Sequence, residues 1–173
     1  AVTGDYIRTF NAPVGIGNHT LRVNITNSMG IDGENQTPFE VRGEADVDVD
    51  NPALCPTGTF AGSNCVPRGN VTIQCKVYDD WNWTHSGYVT EDGIPQYPVK
   101  FSITNQTGYQ NIFNNTTDSS GIAVYTWDAR TVVAGWYQIN CTIEENATLH
   151  YWTNISDSGR YTKLYGQLAI ALG

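Results

Sequence analysis

The residues able to carry chemistry in this sequence are few and scattered. His19, His85 and His150 stand far apart, none in a His-Glu-x-x-His pair that would hold zinc and none beside an obvious nucleophile. No Gly-x-Ser-x-Gly elbow, phosphate-cradling loop or dinucleotide fingerprint occurs. Glu144 and Glu145 are adjacent, so on a strand they point to opposite faces, the wrong geometry for an acid and a base flanking one bond. No catalysis is expected. Asp46, Asp48 and Asp50 alternate with Val47 and Val49 and so share a strand face, an oxygen-rich set suited to calcium. The EF-hand pattern fails, with Asn51 at its sixth position and Thr57 at its twelfth. A solvated acidic strand that discourages edge pairing accounts for the same residues more simply. Calcium is therefore kept only as an option beside N-linked glycans, and no other cofactor is expected.

Two chemistries do stand out. Asn followed two residues later by Ser or Thr, with no intervening Pro, occurs at Asn18, Asn24, Asn35, Asn70, Asn82, Asn105, Asn114, Asn115, Asn140, Asn146 and Asn154. Asn and Thr are frequent here and also populate turns and exposed strand faces. Even so, acceptors spread over the whole chain point to extensive N-glycosylation, hence to export. The four cysteines, Cys55, Cys65, Cys75 and Cys141, form an even set without zinc-like spacing, which favours disulfides. Three connectivities are open. The favoured one staples a local loop with Cys55–Cys65 and spans the chain with Cys75–Cys141, the latter stabilising by about 4 kcal/mol on the chain-entropy argument.

The 173 residues carry nine Lys and Arg against 17 Asp and Glu, a formal net charge of -8, which leaves no cationic track for phosphates or anionic lipid. Nucleic acid is excluded as a partner. No apolar run approaches the roughly 20 residues of a spanning helix, and Ala1-Val2-Thr3 has the look of a start left by signal cleavage. With 40% hydrophobic residues the chain can bury a core.

The elements that must position these groups read as strands. Gly and Pro number 17 and 7, and no helical recurrence of apolar residues is found. Over Asn70 to Tyr78, Val71, Ile73, Cys75 and Val77 share a face; over Trp136 to Ile143, Tyr137, Ile139, Cys141 and Ile143 do. Both cysteines thus fall on the core side of separately assigned strands, as a bridge across a sandwich requires. The same parity turns Asn70 and Asn140 toward water. Val99, Phe101 and Ile103 mark a third strand, Ile122 to Trp127 a fourth with both faces apolar, and Leu21, Val23 and Ile25 a fifth. Phe39 to Gly43 is its short partner, across a loop holding Gly30, Gly33 and Asn35.

From Gly69 to Cys141 the chain resembles the bacterial and archaeal Ig-like domains of surface adhesins and S-layer proteins. The resemblance rests on Gly69-Asn-Val-Thr-Ile-Gln-Cys75, Tyr78-Asp-Asp80, Pro98-Val-Lys-Phe-Ser-Ile103, Thr117-Asp-Ser-Ser-Gly-Ile-Ala123 and Gly135-Trp-Tyr-Gln-Ile-Asn-Cys141, in that order. The long stretch from Trp81 to Gln96 departs from it. It implies an all-β, Ig-like antiparallel sandwich. The expected division is partial Ig-like strands over 1–44, joined through Glu44 to Asp50 to a sandwich over 45–150, then a C-terminal extension over 151–173. A lone hairpin is marginal in water, so the first unit must borrow sheet. Leu164, Leu168, Ile170 and Leu172 share one face of an apolar terminal segment, a candidate donor strand.

The expectation is an extracellular, glycosylated structural subunit of a cell-surface filament, sheath or lattice, archaeal in character, assembled by strand pairing between identical copies. The alternative is a surface adhesin or a carbohydrate- or protein-binding Ig-like module. Its five Trp and ten Tyr would serve a sugar platform, but they serve cores and subunit interfaces equally well.

Overall fold

The computed structural model describes residues 9–10, 15–26, 29–30, 32–52, 64–79 and 92–166. Twelve strands make up its regular structure: β1 Gly17–Thr26, β2 Asp32–Val41, β3 Gly43–Asn51, β4 Asn64–Pro67, β5 Asn70–Asp79, β6 Asp92–Gly93, β7 Pro98–Thr104, β8 Gln110–Thr116, β9 Ile122–Asp128, β10 Gly135–Thr142, β11 Tyr151–Ile155 and β12 Asp157–Tyr165. One five-stranded sheet runs β11-β3-β5, with β6 and β9 both on the outer edge of β5; the other runs β4-β12-β10-β7-β8. Pairing is antiparallel except for β11 with β3 and β4 with β12. This is the partition of an immunoglobulin sandwich: β3, β5 and β9 stand as strands A, B and E of one sheet, and β8, β7, β10 and β12 as C′, C, F and G of the other. The fold is all-β and Ig-like. Among the described residues no helix is long and apolar enough to cross a membrane.

The core follows from alternation. Val71, Ile73, Cys75 and Val77 of β5 face Val99, Phe101 and Ile103 of β7 and Tyr137, Ile139 and Cys141 of β10 across the sandwich, all buried. Cys75 and Cys141 are bonded with their Cα atoms 6.0 Å apart, tying strands B and F across 66 residues of sequence. Ala123 and Trp127 settle the inward face of β9, since Val124 points out and is 38% exposed. Trp127 is fully buried, its indole N–H donates to the Tyr109 hydroxyl (2.9 Å), and its ring lies 5.2 Å from that of Tyr137. Tyr137 in turn donates to the Val133 carbonyl (2.7 Å), fixing the turn that precedes strand F. In the Thr117-Asp-Ser-Ser-Gly turn, Asp118 accepts from the amides of Ser120 and Ile122, and Gly121 has φ +76 with Val77 O 2.4 Å from where a Cβ would lie, so only glycine fits.

Four expectations need correction. Residues 44–50 do not link units: β3 is a core strand, with Ala45, Val47 and Val49 buried. The boundary at 150 falls inside the sandwich, because β12 lies between β10 and β4 and β11 extends β3. Leu164, counted with the donor strand, is fully buried in its own core; Leu168, Ile170 and Leu172 lie outside the described residues. The polar run Ser158, Arg160, Thr162 hides this strand from a hydrophobic reading, although Thr162 is fully buried. Likewise Gly33 and Asn35 belong to β2, paired with Ile25 and Val23, rather than to a loop. A strand wet on both faces carries no alternation to read.

Candidate functional site

The feature that stands apart is the hairpin of β1 and β2, a two-stranded sheet of its own. Ten residue pairs hold it, from Gly17 with Val41 to Thr26 with Asp32. Residues opposite one another share a face, so His19, Leu21, Val23, Ile25, Phe39 and Val41 lie on one mainly apolar side, which Thr37 and Asn35, opposite Leu21 and Val23, also share. Near the sandwich that side is partly covered: His19 stacks on Phe39 at 5.5 Å and Phe10 meets Phe39 edge-on at 5.9 Å. Farther out it is bare, with Val23 46% and Ile25 50% exposed.

A charged junction seats the hairpin on the sandwich. Glu40 at the end of β2 accepts from Arg42 (2.8 Å) and meets His150 Nδ1 at 2.6 Å, while Arg42 also pairs with Glu145 and lies over the Trp152 ring at 4.4 Å. The Gly43 amide donates to the His150 carbonyl (3.0 Å). Hydrogen bonds from His150 first and Arg42 second hold the Glu40 carboxyl below its ordinary 4.5; Glu40 and Glu145 raise Arg42. Behind this cluster Tyr97 donates to the Glu144 carbonyl (2.8 Å), and burial, with the Glu145 charge second, pushes its phenol up to about 12.

Strand direction gives the sandwich two ends. The hairpin end holds Gly43, Glu145 and His150. The distal end holds Gly135, which pairs with Leu164, and Tyr165, whose carbonyl accepts from the Arg68 amide (3.0 Å). Val133, Trp136, Tyr161 and Tyr165 are all exposed there, at 71%, 45%, 64% and 46%.

The glycan acceptors fall into distinct settings. Asn18, Asn24, Asn35, Asn70, Asn114 and Asn115 are exposed, and Asn105, Asn140 and Asn146 are half-buried. Asn82 and the side chain of Asn154 lie outside the described residues. Asn140 is on the outer face of the sheet, but its Oδ1 is covered without a hydrogen-bond partner among the described residues, packed where a Cβ on Gly159 would come within 2.4 Å. Adjacent Asn114 and Asn115 differ sharply. Asn115 donates its amide to the Val124 carbonyl (2.8 Å), and the hydroxyl completing its acceptor motif, Thr117, is buried between the Tyr97 amide and the Ile94 carbonyl.

The remaining candidates are dispersed. Asp46 is buried, Asp48 accepts from Tyr78 and Ser158, and the Asp50 carbonyl accepts from Arg160. Among the described residues no three His, Cys, Asp or Glu side chains gather to hold a metal. His19 bonds the Gly15 carbonyl (2.7 Å). Cys55, His85, Trp81, Trp83 and the side chain of Cys65 lie outside the described residues.

No protein-family model and no curated protein matches the chain. Among solved structures it is similar to a tetra-tandem repeat from the extending region of a large adhesion protein, at 15% identity, covering 87% of this chain and 32% of that one with a TM-score of 0.49. The chain thus spans about a third of that structure. It is also similar to the D00–D0 domain of intimin, at 12% identity, 87% and 66% coverage and a TM-score of 0.42. The CARDB domain of a Pyrococcus furiosus protein follows at 15% identity, 71% and 95% coverage and a TM-score of 0.40. The Ig-like assignment rests on strand order and the B–F disulfide.

Proposed function

We propose that the chain is a structural subunit of an extracellular, N-glycosylated surface filament, sheath or lattice, built by strand pairing between identical copies. The observation that carries this reading is the hairpin, a sheet with two open edges among the described residues and a bare apolar side, which needs a further strand to be stable. The segment of suitable pattern leaves from the other end. β12 carries the chain away from the hairpin over nine residues, about 27 Å at strand rise. Residues 167–172 reach at most about 22 Å when fully extended. A strand formed by Leu168, Ile170 and Leu172 would therefore be out of reach of its own hairpin and would pair with the one on a neighbour, head to tail. The inter-sheet disulfide and the exposed acceptor asparagines support an oxidising, glycosylating exterior.

Electron microscopy and sedimentation of the purified protein test this. The wild type is expected to form ordered polymers, and Ile170→Asp to remain monomeric with an unchanged thermal midpoint. A wild-type chain that stays monomeric at high concentration, or a polymer indifferent to Ile170→Asp, removes the reading. A second reading, an adhesin or a carbohydrate- or protein-binding module, is favoured by the exposed Trp136 and Tyr161 beside a cavity of about 170 Å³. It predicts monomers that take up ligand.

A further inference from the structure

One acceptor sits where its own sugar has something to lie on. Asn105 follows β7 at the distal end, and its Oδ1 accepts from the Thr107 amide (3.0 Å), the Thr107 hydroxyl (3.0 Å) and the Tyr109 amide (2.8 Å). These bonds pin the side chain in an Asx turn, and none of them uses Nδ2, the atom a glycan takes. Thr107, which completes the acceptor motif, is exposed. Asn105 and Trp136 line the same two cavities, of about 170 and 180 Å³. Gln106 borders both, and Gln138 and Tyr161 border the first.

Trp136 and Tyr161 point outward from neighbouring strands. Trp136 is opposite Lys163 and Tyr161 opposite Gln138, which makes the two rings diagonal neighbours on one sheet face. An outward indole on a central strand leaves a large apolar surface wet. A pyranose presents a face of C–H groups that packs on an aromatic ring, while its hydroxyls suit amide side chains such as Gln106 and Gln138. Stacking of this kind is weak between separate molecules. A tether of one side chain makes it intramolecular and raises the effective concentration to the millimolar range or above.

We propose that the first sugars of an Asn105-linked glycan pack on the indole of Trp136, with Tyr161 beside it. This rests on the reading of the chain as an N-glycosylated surface protein. The glycan would then shield the exposed ring and brace the β7–β8 turn. Trp152 supplies an internal reference: it is 53% exposed and has the Arg42 guanidinium 4.4 Å from its ring, as Trp136 has Lys163 Nζ at 5.7 Å, but it lies at the hairpin end, away from Asn105.

The test is site-resolved mass spectrometry of the protein from its native source, with hydroxyl-radical footprinting of dissociated subunits. Asn105→Asp keeps the acceptor oxygen of the turn and removes the attachment atom; Thr107→Ala removes the motif while keeping the amide. Asn105 is expected to be occupied, and Trp136 to oxidise roughly threefold faster or more in both variants, Trp152 staying as in the wild type. Occupancy elsewhere with Asn105 bare, or equal Trp136 oxidation in wild type and variants, overturns the inference and leaves the glycoprotein reading standing. Sugar at no acceptor at all ends both.

Discussion

Both strands of the hairpin and β5 of the sandwich are ten residues long and paired antiparallel, yet the two regions differ in almost everything that stabilises a sheet. β5 buries Val71, Ile73, Cys75 and Val77 against a second layer; β1 leaves Val23 and Ile25 about half exposed. Backbone pairing replaces bonds to water at small net gain, whereas covering an apolar face removes roughly 25 cal/mol per Å² of unfavourable contact. A ladder alone does not make a stable layer. What is above the ladder does.

The comparison is broken most directly in the core. Trp127→Ala is expected to cost the sandwich about 3–5 kcal/mol in chemical denaturation, while Val23→Ala changes the monomer by no more than about 0.5 kcal/mol. Equal costs would mean that the hairpin's apolar face is packed in the free subunit. Replacing both Cys75 and Cys141 with Ala should cost about 4 kcal/mol, because the bridge closes 66 residues. Removal of residues 1–41, measured by the same melting curve, should leave the sandwich midpoint nearly unchanged.

A milder perturbation acts at the junction. The Glu40 carboxyl titrates below its ordinary 4.5 when folded, so its contribution is fully present above that value and is lost as pH falls through the lowered one. Hydrogen exchange is expected to show the Gly43 amide and the hairpin amides losing protection as pH falls below the ordinary carboxylate range, before the sandwich responds. Simultaneous loss everywhere would show that the hairpin and sandwich unfold as one unit. Asp128, lowered to about 2 by Arg130, follows the same sign at more acid pH and affects only its turn.

The smallest effect concerns the adjacent acceptors. Asn114 should carry sugar in preference to Asn115, as read by glycopeptide mass spectrometry, because the Thr117 hydroxyl is buried and the Asn115 amide is engaged. Thr117→Ser should not reverse the order. A chain modified before folding would ignore these contacts and show no such preference.

Much of the architecture is legible in the residues themselves. Wherever a strand has one dry face, alternation reports it: the inward sides of β5, β7 and β10, including both cysteines, can be read from Val71 to Val77, Val99 to Ile103 and Tyr137 to Ile143. The acceptor motifs and the apolar beat of Leu168, Ile170 and Leu172 are equally local properties. Other features left no such trace. β12 is central to its sheet but offers Ser158, Arg160 and Thr162 where a hydrophobic reading looks for Val and Ile, and β2 is polar over most of its length.

The sequence by itself therefore determined an all-β chain, the inward faces of β5, β7 and β10 and its stock of acceptor sites, since each depends on residues a few positions apart. Only the tertiary structure decided that Glu40 meets His150, 110 residues away, and Arg42 meets Glu145, 103 away. It also decided that Asn105 shares a cavity wall with Trp136, and that β12 ends, at Tyr165, opposite the hairpin. These facts depend on how strands are ordered in the sheets and which way each one runs, and that order is fixed by the packing of two layers rather than by any local pattern.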